Sequence, residues 1–492
     1  MVQQQFQHFL LVTFPAQGHI NPALQLAKRL TRAGTRVTFA TTIAAHRRMF
    51  SSSSPVPGAG EEQTQDVPLL SFSPYSDGYD DGFNPSEDDT AHYMSQIKVV
   101  GSETLARLAR SLAEQDQPVT CVVYTLLLPW AADVARELGV PSVLFFIQPA
   151  TVFGAYYHYF HGHADLIISH ADDPWFTVDL PGMPPLRIRD LPSFLIPAQT
   201  FDSYSFVLNS FEEMYRTLDR EVAEAKKAGS SLGKKIKVLM NTFDELEHEQ
   251  LAAVNSMELI PIGPMLPSAY TDGKDRTDTA FGGDLLQADV REQYMEWLDA
   301  RPDRSVVYVS FGSMSVVPVR QREEISQALA ESGRPYLWVV RGNREGAEEG
   351  AEGKLVEWCS QVEVLSHSAV GCFVTHCGWN STVESLVCGV PTVGLPKWTD
   401  QPTNARLAEA AWGTGVRAEV NAESVLEAAE LRRCLDLVMG EGQRGERIRR
   451  RAQAWRDKAR EAMREGGSSD RNLRAFVEDM SENLRPLALQ IR

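Results

Sequence analysis

Between Trp358 and Gln401 the chain reads WCSQVEVLSHSAVGCFVTHCGWNSTVESLVCGVPTVGLPKWTDQ, and no other stretch says as much about function. It combines aromatic faces for a base, small polar residues for phosphates, a carboxylate for ribose and an Asp-Gln pair for sugar hydroxyls. Cys372 to His376 reads as a buried strand. Gly378-Trp379-Asn380-Ser381 then turns the chain into a helix expected from Thr382 to about Cys388. Backbone N–H groups at a helix start have no intrahelical partner, and the helix dipole favours negative charge there. A diphosphate is the natural occupant, and the whole segment suits a nucleotide-linked sugar.

The second informative stretch is FPAQGHINP, Phe14 to Pro22. His19 is expected in the loop between the first strand and the first helix, facing a cleft. Asn21 is the expected N-cap, with Pro22 at the first helical position. A helix N-terminus close behind disfavours the imidazolium, which keeps the ring neutral and able to take a proton at neutral pH.

These residues need elements to hold them. Apolar runs at Phe9–Phe14, Arg36–Thr42, Leu69–Phe72, Cys121–Tyr124, Ser142–Ile147, Val238–Thr242 and Leu259–Ile262 read as strands, with helical patterns between them. That alternation is the mark of a parallel sheet flanked by helices. It restarts with Ser305–Phe311, Tyr336–Val340, Gly371–His376 and Thr392–Leu395. Between the two series, the polar stretch from Pro264 to Gly283 reads as a linker. Ser51 to Gly60 and the Glu/Gly-rich stretch Asn343 to Gly353 read as surface loops. The proline-rich segment Asp172 to Thr200 suits the wall of a substrate pocket. The chain is therefore α/β, two doubly wound domains in series, with a ligand in the cleft at the carboxyl ends of the strands.

With 492 residues, two domains of ordinary size are expected. A formal charge of −17 and no basic patch argue against nucleic acid as a partner. The basic run Arg444 to Arg451 is broken by a Glu and reads as a solvated helix face. No window is apolar enough to span a bilayer, and no targeting segment is evident. Six cysteines without a framework suggest free thiols in a reducing, cytosolic setting. Cys359, His367, Cys372, His376 and Cys377 fall close together, but no C-x-x-C pair is present and a strand would point alternate side chains to opposite faces. Buried structural cysteines are expected, and no metal.

The Trp358–Gln401 segment resembles the donor-binding box of plant family-1 UDP-glycosyltransferases almost residue for residue. The similarity extends over nearly the whole chain, from FPAQGHINP to the final helices. The resemblance implies the GT-B fold: an acceptor-binding Rossmann-like domain over 1–263, a linker over 264–290, a UDP-sugar-binding domain over 291–470, and a terminal helix within 471–492 that packs back on the first domain. It implies an inverting glucosyltransferase that moves glucose from UDP-glucose to an oxygen of a small plant acceptor, with no further cofactor. His19 matches the family's catalytic base. Trp358 would stack on uracil, with Cys359 and Gln361 completing the nucleoside contacts, and Glu384 would accept from the ribose hydroxyls. Ser313, His376, Asn380 and Ser381 would surround the diphosphate. Trp379, Asp400 and Gln401 would address the sugar, and Gln401 goes with glucose in this family.

One position departs from the pattern. Many relatives carry an Asp after the strand matching Cys121–Tyr124 to orient the histidine. Here Thr125 stands in its place; it can hydrogen-bond but cannot offset positive charge. Asp133 is expected to be exposed on the following helix. The Tyr-Thr pattern resembles a subgroup that glucosylates carboxylic acids and phenolics such as anthocyanins, which implies acidic acceptors over aliphatic alcohols. Loops over Ser73–Pro85 and Pro181–Thr200 would shape the acceptor site. Phe145, Phe146, Tyr156 and Tyr157 would line it or pack in the core. A nicotinamide-dependent oxidoreductase should carry G-x-G-x-x-G after a strand, and none is found. Another UDP-sugar, or binding of a nucleotide-sugar without catalysis, are the remaining alternatives. A monomer is the expected state.

Overall fold

Seven short runs in the first half pair in parallel as one sheet. They are β1 (His8–Val12), β2 (Arg36–Ala40), β3 (Leu70–Phe72), β4 (Cys121–Thr125), β5 (Ser142–Phe146), β8 (Ile236–Met240) and β9 (Met257–Pro261), in the order β3-β2-β1-β4-β5-β8-β9. A two-residue antiparallel ladder, β6 (Thr177–Val178) with β7 (Leu186–Arg187), stands apart from it. The second half forms a six-stranded parallel sheet in the order β12-β11-β10-β13-β14-β15. Its strands are β10 (Val306–Ser310), β11 (Tyr336–Val339), β12 (Gly353–Val356), β13 (Val370–Thr375), β14 (Thr392–Gly394) and β15 (Gly415–Arg417). The computed structural model describes residues 7–51, 69–84, 87–196, 205–227, 235–281, 291–313 and 315–482.

Both sheets are wound outward from an interior strand, β1 in the first and β10 in the second. The order therefore reverses between β1 and β4, and again between β10 and β13. In sheets of this kind the crevice for a ligand opens beyond the carboxyl ends of the strands at the reversal. Every residue of β1, β4, β10 and β13 is buried, as expected for strands covered by helices on both faces.

Three local readings change. The first helix spans Gln17–Arg32 with Ala16 at its N-cap, so Asn21 does not cap it and Pro22 lies inside it. Pro22 lies past the first turn, where its N–H would ordinarily bond a helix carbonyl, and it is tolerated because the carbonyl left free finds another partner (below). The second change is at the helix of the informative segment, which runs Trp379–Cys388 from Gly378 rather than starting at Thr382. Asn380 and Ser381 consequently sit in its first turn. Third, β12 and β15 have no strand-like signature. They are four and three residues long and lie at the two edges of their sheet, where pairing rather than composition defines them. The stretch before β12 is held by Tyr336, whose hydroxyl donates to Glu348 O and accepts from Gly350 N–H, both at 2.8 Å.

The residues between the sheets are anchored to the first helix. Lys28 pairs with Asp278 at 2.6 Å, and Arg29 donates to Ile262 O at 2.6 Å. The last described helix, Ser468–Glu482, buries Leu473, Phe476, Val477 and Met480 in the core of the first sheet. Its Phe476 ring lies 6.0 Å from Phe9 of β1, and Gln7 donates to Val477 O at 2.9 Å. Residues 52–60, 197–200, 282–290 and 483–492, covered above by the loop, pocket-wall, linker and terminal-helix expectations, lie outside the described residues.

Phe476→Ala should lower the urea midpoint of the first half by the equivalent of about 3 kcal/mol, the usual cost of emptying a buried phenylalanine site. An unchanged midpoint would mean that this helix adds nothing to the first sheet's stability.

Candidate active site

The two sheet reversals face each other, and each presents a histidine. Beyond β1 the chain turns at Phe14 and enters the first helix, placing His19 in its first turn rather than in the loop before it. His19 is half-buried, and its Nδ1 lies 3.2 Å from Oγ1 of Thr125, the fully buried last residue of β4. The same Oγ1 accepts the Phe14 N–H at 3.2 Å. Loss of hydration lowers the imidazole pKa to about 3, so the ring is neutral across the physiological range. Asp133 is half-buried and committed elsewhere, to Arg136 at 2.7 Å and Arg220 at 2.8 Å.

Beyond β13, His376 lies against the backbones of Gly312 and Gly378. A Cβ on either glycine would stand 2.6 Å from His376 Nε2, so only glycine admits the ring. Gly312 also has a φ of +79°, a conformation natural to glycine. The His376 pKa falls to about 4 through burial, reinforced by the positive charges of Lys397 and Arg341. Ser313 is exposed on the loop after β10. Lys397 holds its ammonium 5.8 Å from the Phe311 ring centre. The buried Nε of Arg341 has no hydrogen-bond partner among the described residues. Two cations and the N–H groups of the Trp379–Cys388 helix start therefore surround this point.

Next to it lies a buried polar cluster. Gln361 donates to Ser381 Oγ at 2.8 Å and to the Glu384 carboxylate. Tyr308 donates to Gln361 Oε1 at 3.3 Å and lies 3.3 Å from Cys359 Sγ. Trp358 is half-exposed on the loop between β12 and the short helix Gln361–Ser366. Glu384 is 3% exposed, and burial raises its pKa to about 7 against the counter-effect of Gln361.

Asp400 and Gln401 open the helix Gln401–Arg406. Asp400 is buried; one carboxylate oxygen accepts from Thr399 Oγ1 at 2.7 Å and the other from Asn404 Nδ2 at 2.6 Å. Gln401 Oε1 accepts the N–H groups of Lys397 and Trp398 at 3.0 and 3.2 Å, leaving its NH2 uncommitted among the described residues. The Trp379 indole is not brought to this group. It donates to Asn241 O at 2.7 Å and packs near Trp412, so only the Trp379 backbone, hydrogen-bonded to Asp400, reaches the pair.

The two halves are joined at the site itself. Asn380 Nδ2 donates to Gly18 O at 2.9 Å. Gly18 O would ordinarily accept from residue 22, but residue 22 is a proline without an N–H. The residue before His19 is thus bonded to the helix start that faces His376.

An aromatic row leads away from His19. The Phe14 ring lies 5.3 Å from it, Tyr93 lies 6.5 Å from Phe14, and Phe83 stacks on Tyr93 at 4.5 Å. Phe145, Phe146 and Tyr156 are buried in the core, and Tyr157 stacks on His161. Among the described residues no group of three or more His, Cys, Asp or Glu gathers to hold a metal, and all six cysteines are free. Lys397 and Asn404 were within reach of sequence reasoning, the first inside the informative segment and the second one helical turn beyond Asp400. Arg341, Tyr93 and Asn241 carried no such signal.

A family model described as "UDP-glucoronosyl and UDP-glucosyl transferase" matches residues 277–463. A crocetin glucosyltransferase, chloroplastic, of Gardenia jasminoides is 50% identical over 97% of this chain and 98% of its own. An anthocyanidin 3-O-glucoside 5-O-glucosyltransferase of Perilla frutescens is 48% identical over 96% and 98%. Among solved structures, Os79 of O. sativa in complex with UDP superposes with a TM-score of 0.81 at 35% identity, covering 96% of this chain and all of that one. The facing doubly wound sheets form the GT-B fold.

Burial of Glu384 has a consequence for stability. Its carboxyl titrates near 4.5 in the unfolded chain and near 7 when folded, so its contribution is intact below 4.5 and is lost as pH rises through 7. Glu384→Gln should therefore be more stable than the parent at pH 8 by about 3 kcal/mol, with the gap closing at pH 4.5. Thermal unfolding of both proteins at the two pH values checks this.

Proposed function

The chain belongs to the UDP-glycosyltransferase family, and from that premise we propose that it is an inverting glucosyltransferase acting on small phenolic or carboxylic acceptors with UDP-glucose as donor. One observation carries the proposal: His19, neutral and held on Thr125, is bonded through Gly18 and Asn380 to the helix start that would receive the diphosphate. An acceptor oxygen attacks the anomeric carbon, the bond to the diphosphate breaks with its electron pair leaving on UDP, and His19 Nε2 takes the acceptor proton. Trp358 carries the uracil, with Cys359 and Gln361 beside it, and Glu384 accepts from the ribose. Ser313, His376, Asn380 and Ser381 hold the diphosphate, and Lys397 and Arg341 add positive charge where UDP departs. With that charge supplied by side chains and a helix terminus, we read the transfer as metal-independent. Asp400 and Gln401 bind the sugar hydroxyls, the role of Trp379 being confined to its backbone.

Thr125 bears on the choice of acceptor. For Nε2 to take a proton, Nδ1 must carry one and donate it to Thr125 Oγ1, which already accepts from Phe14 N–H. A hydroxyl has lone pairs for both, but it can also turn its own proton toward Nδ1 and select the opposite tautomer. A carboxylate could not. His19 is thereby a weaker base, which matters least for acceptors ionised near neutrality. The aromatic row Phe14–Tyr93–Phe83 offers a flat wall for a phenolic ring. The Gardenia and Perilla relatives are named for crocetin and for anthocyanidin 3-O-glucosides.

Both histidines and the donor cluster come from one chain, so the reaction needs no second copy, and a monomer is our reading. Six free cysteines suit a reducing compartment such as the cytosol.

His19→Ala should keep UDP affinity within about twofold and lose roughly a hundredfold or more of kcat; full turnover on a phenol would remove His19 from the role. Thr125→Asp should raise turnover on alcohol acceptors by about tenfold relative to phenols, measured as the ratio of kcat/KM values. A ratio that does not move would exclude Thr125 from acceptor choice.

A further inference from the structure

The loop that carries the sugar-binding pair is held by the opposite half of the molecule. Ser193 and Thr399 exchange two hydrogen bonds: Ser193 N–H donates to Thr399 O at 2.9 Å, and Thr399 N–H donates to Ser193 Oγ at 2.8 Å. Thr399 has a φ of +59°, the left-handed region that a β-branched side chain adopts only when its surroundings fix it there. Its remaining polar group, Oγ1, donates to the Asp400 carboxylate at 2.7 Å. Every polar group of this strained residue is thus committed, two to Ser193 and one to Asp400.

The contact does not stand alone. Thr403 Oγ1 donates to Asp190 O at 2.8 Å, and the Asp190 carboxylate pairs with Arg417 at 2.9 Å. The Phe194 ring meets Trp398 edge-on at 6.1 Å. The segment 190–194 therefore meets the loop at Trp398 and Thr399, the helix that follows at Thr403, and β15 at Arg417.

We propose that Ser193 is a positioning residue for the donor sugar. Its clasp imposes the left-handed turn at Thr399, and that turn sets the direction of the Asp400 carboxylate and the Gln401 amide. Recognition of the sugar is complete only while the halves are closed on each other, because the residue that fixes the turn belongs to the half that brings the acceptor. This rests on the reading of Asp400 and Gln401 as the sugar pair. It adds that the pair is not self-sufficient.

Steady-state kinetics with UDP-glucose and UDP-galactose, together with calorimetric binding of UDP alone, test it. Ser193→Ala should raise KM for UDP-glucose by about fivefold and narrow the preference over UDP-galactose, the scale of one lost hydrogen bond. Saturated kcat and the Kd of UDP should stay within about twofold, because the clasp touches neither base nor phosphates. Ser193→Thr, which keeps the hydroxyl, should restore the parent KM. An unchanged KM in Ser193→Ala overturns the proposal, and so does a parallel loss of UDP affinity, which would indicate general loosening. Asp400→Asn separates the two layers. If it too leaves donor kinetics unchanged, the sugar-pair reading itself fails; if it weakens UDP-glucose while Ser193→Ala does not, only the clasp fails.

Discussion

A missing N–H organises this molecule. Pro22 lies inside the first helix, where it cannot donate to the carbonyl of Gly18, and Asn380 from the other half fills that vacancy at 2.9 Å. A helix carbonyl left without its usual donor and buried at an interface would be costly. Meeting it from across the cleft makes closure of the two halves the way in which the first helix completes its own hydrogen bonding. The residue after Gly18 is His19, so the bond that closes the cleft also fixes the imidazole relative to the start of the Trp379–Cys388 helix. The neighbouring Trp379 indole adds a second tie, to Asn241 O at 2.7 Å.

Burial also removes water from ionisable groups, and their charge states follow. His19 and His376 are pushed toward neutrality, to about 3 and about 4, while Glu384 is raised to about 7. Near neutral pH the histidine shifts cost little, because both rings are neutral folded or unfolded, whereas the raised Glu384 is a cost to the folded chain that hydrogen-bond donors from a ligand would offset. Strain at Thr399 belongs to the same pattern, a local cost held in place by contacts from the opposite half. The site is thus built from groups that are individually unfavourable and jointly complementary to an anionic, hydroxyl-rich ligand.

Much of this was legible in the chain itself. Strand runs such as Cys121–Thr125 and Val370–Thr375 are continuous and apolar because both faces are covered, and that signal survives without any structure. The cluster of Gln361, Ser381 and Glu384 is compact in sequence, so its assembly needs only one loop and one helix. Other features left no mark. β12 and β15 are strands only because neighbours pair with them. The first helix starts at Gln17 instead of Pro22 because a partner far along the chain satisfies Gly18 O. The Trp379 side chain, chemically suited to a sugar, turned toward Asn241 because burying an indole requires an acceptor for its N–H.

The sequence alone determined the inner strands of both sheets, the family, and the local grouping of Gln361, Ser381 and Glu384, because apolar period and the local order of residue types are properties of short stretches. Tertiary structure decided which groups meet across the cleft: Asn380 with Gly18, Ser193 with Thr399, Trp379 with Asn241. Those partners are separated by 138 to 362 positions. No local pattern encodes contacts of that span, since each is fixed only when both halves have folded and every buried polar group has found its partner.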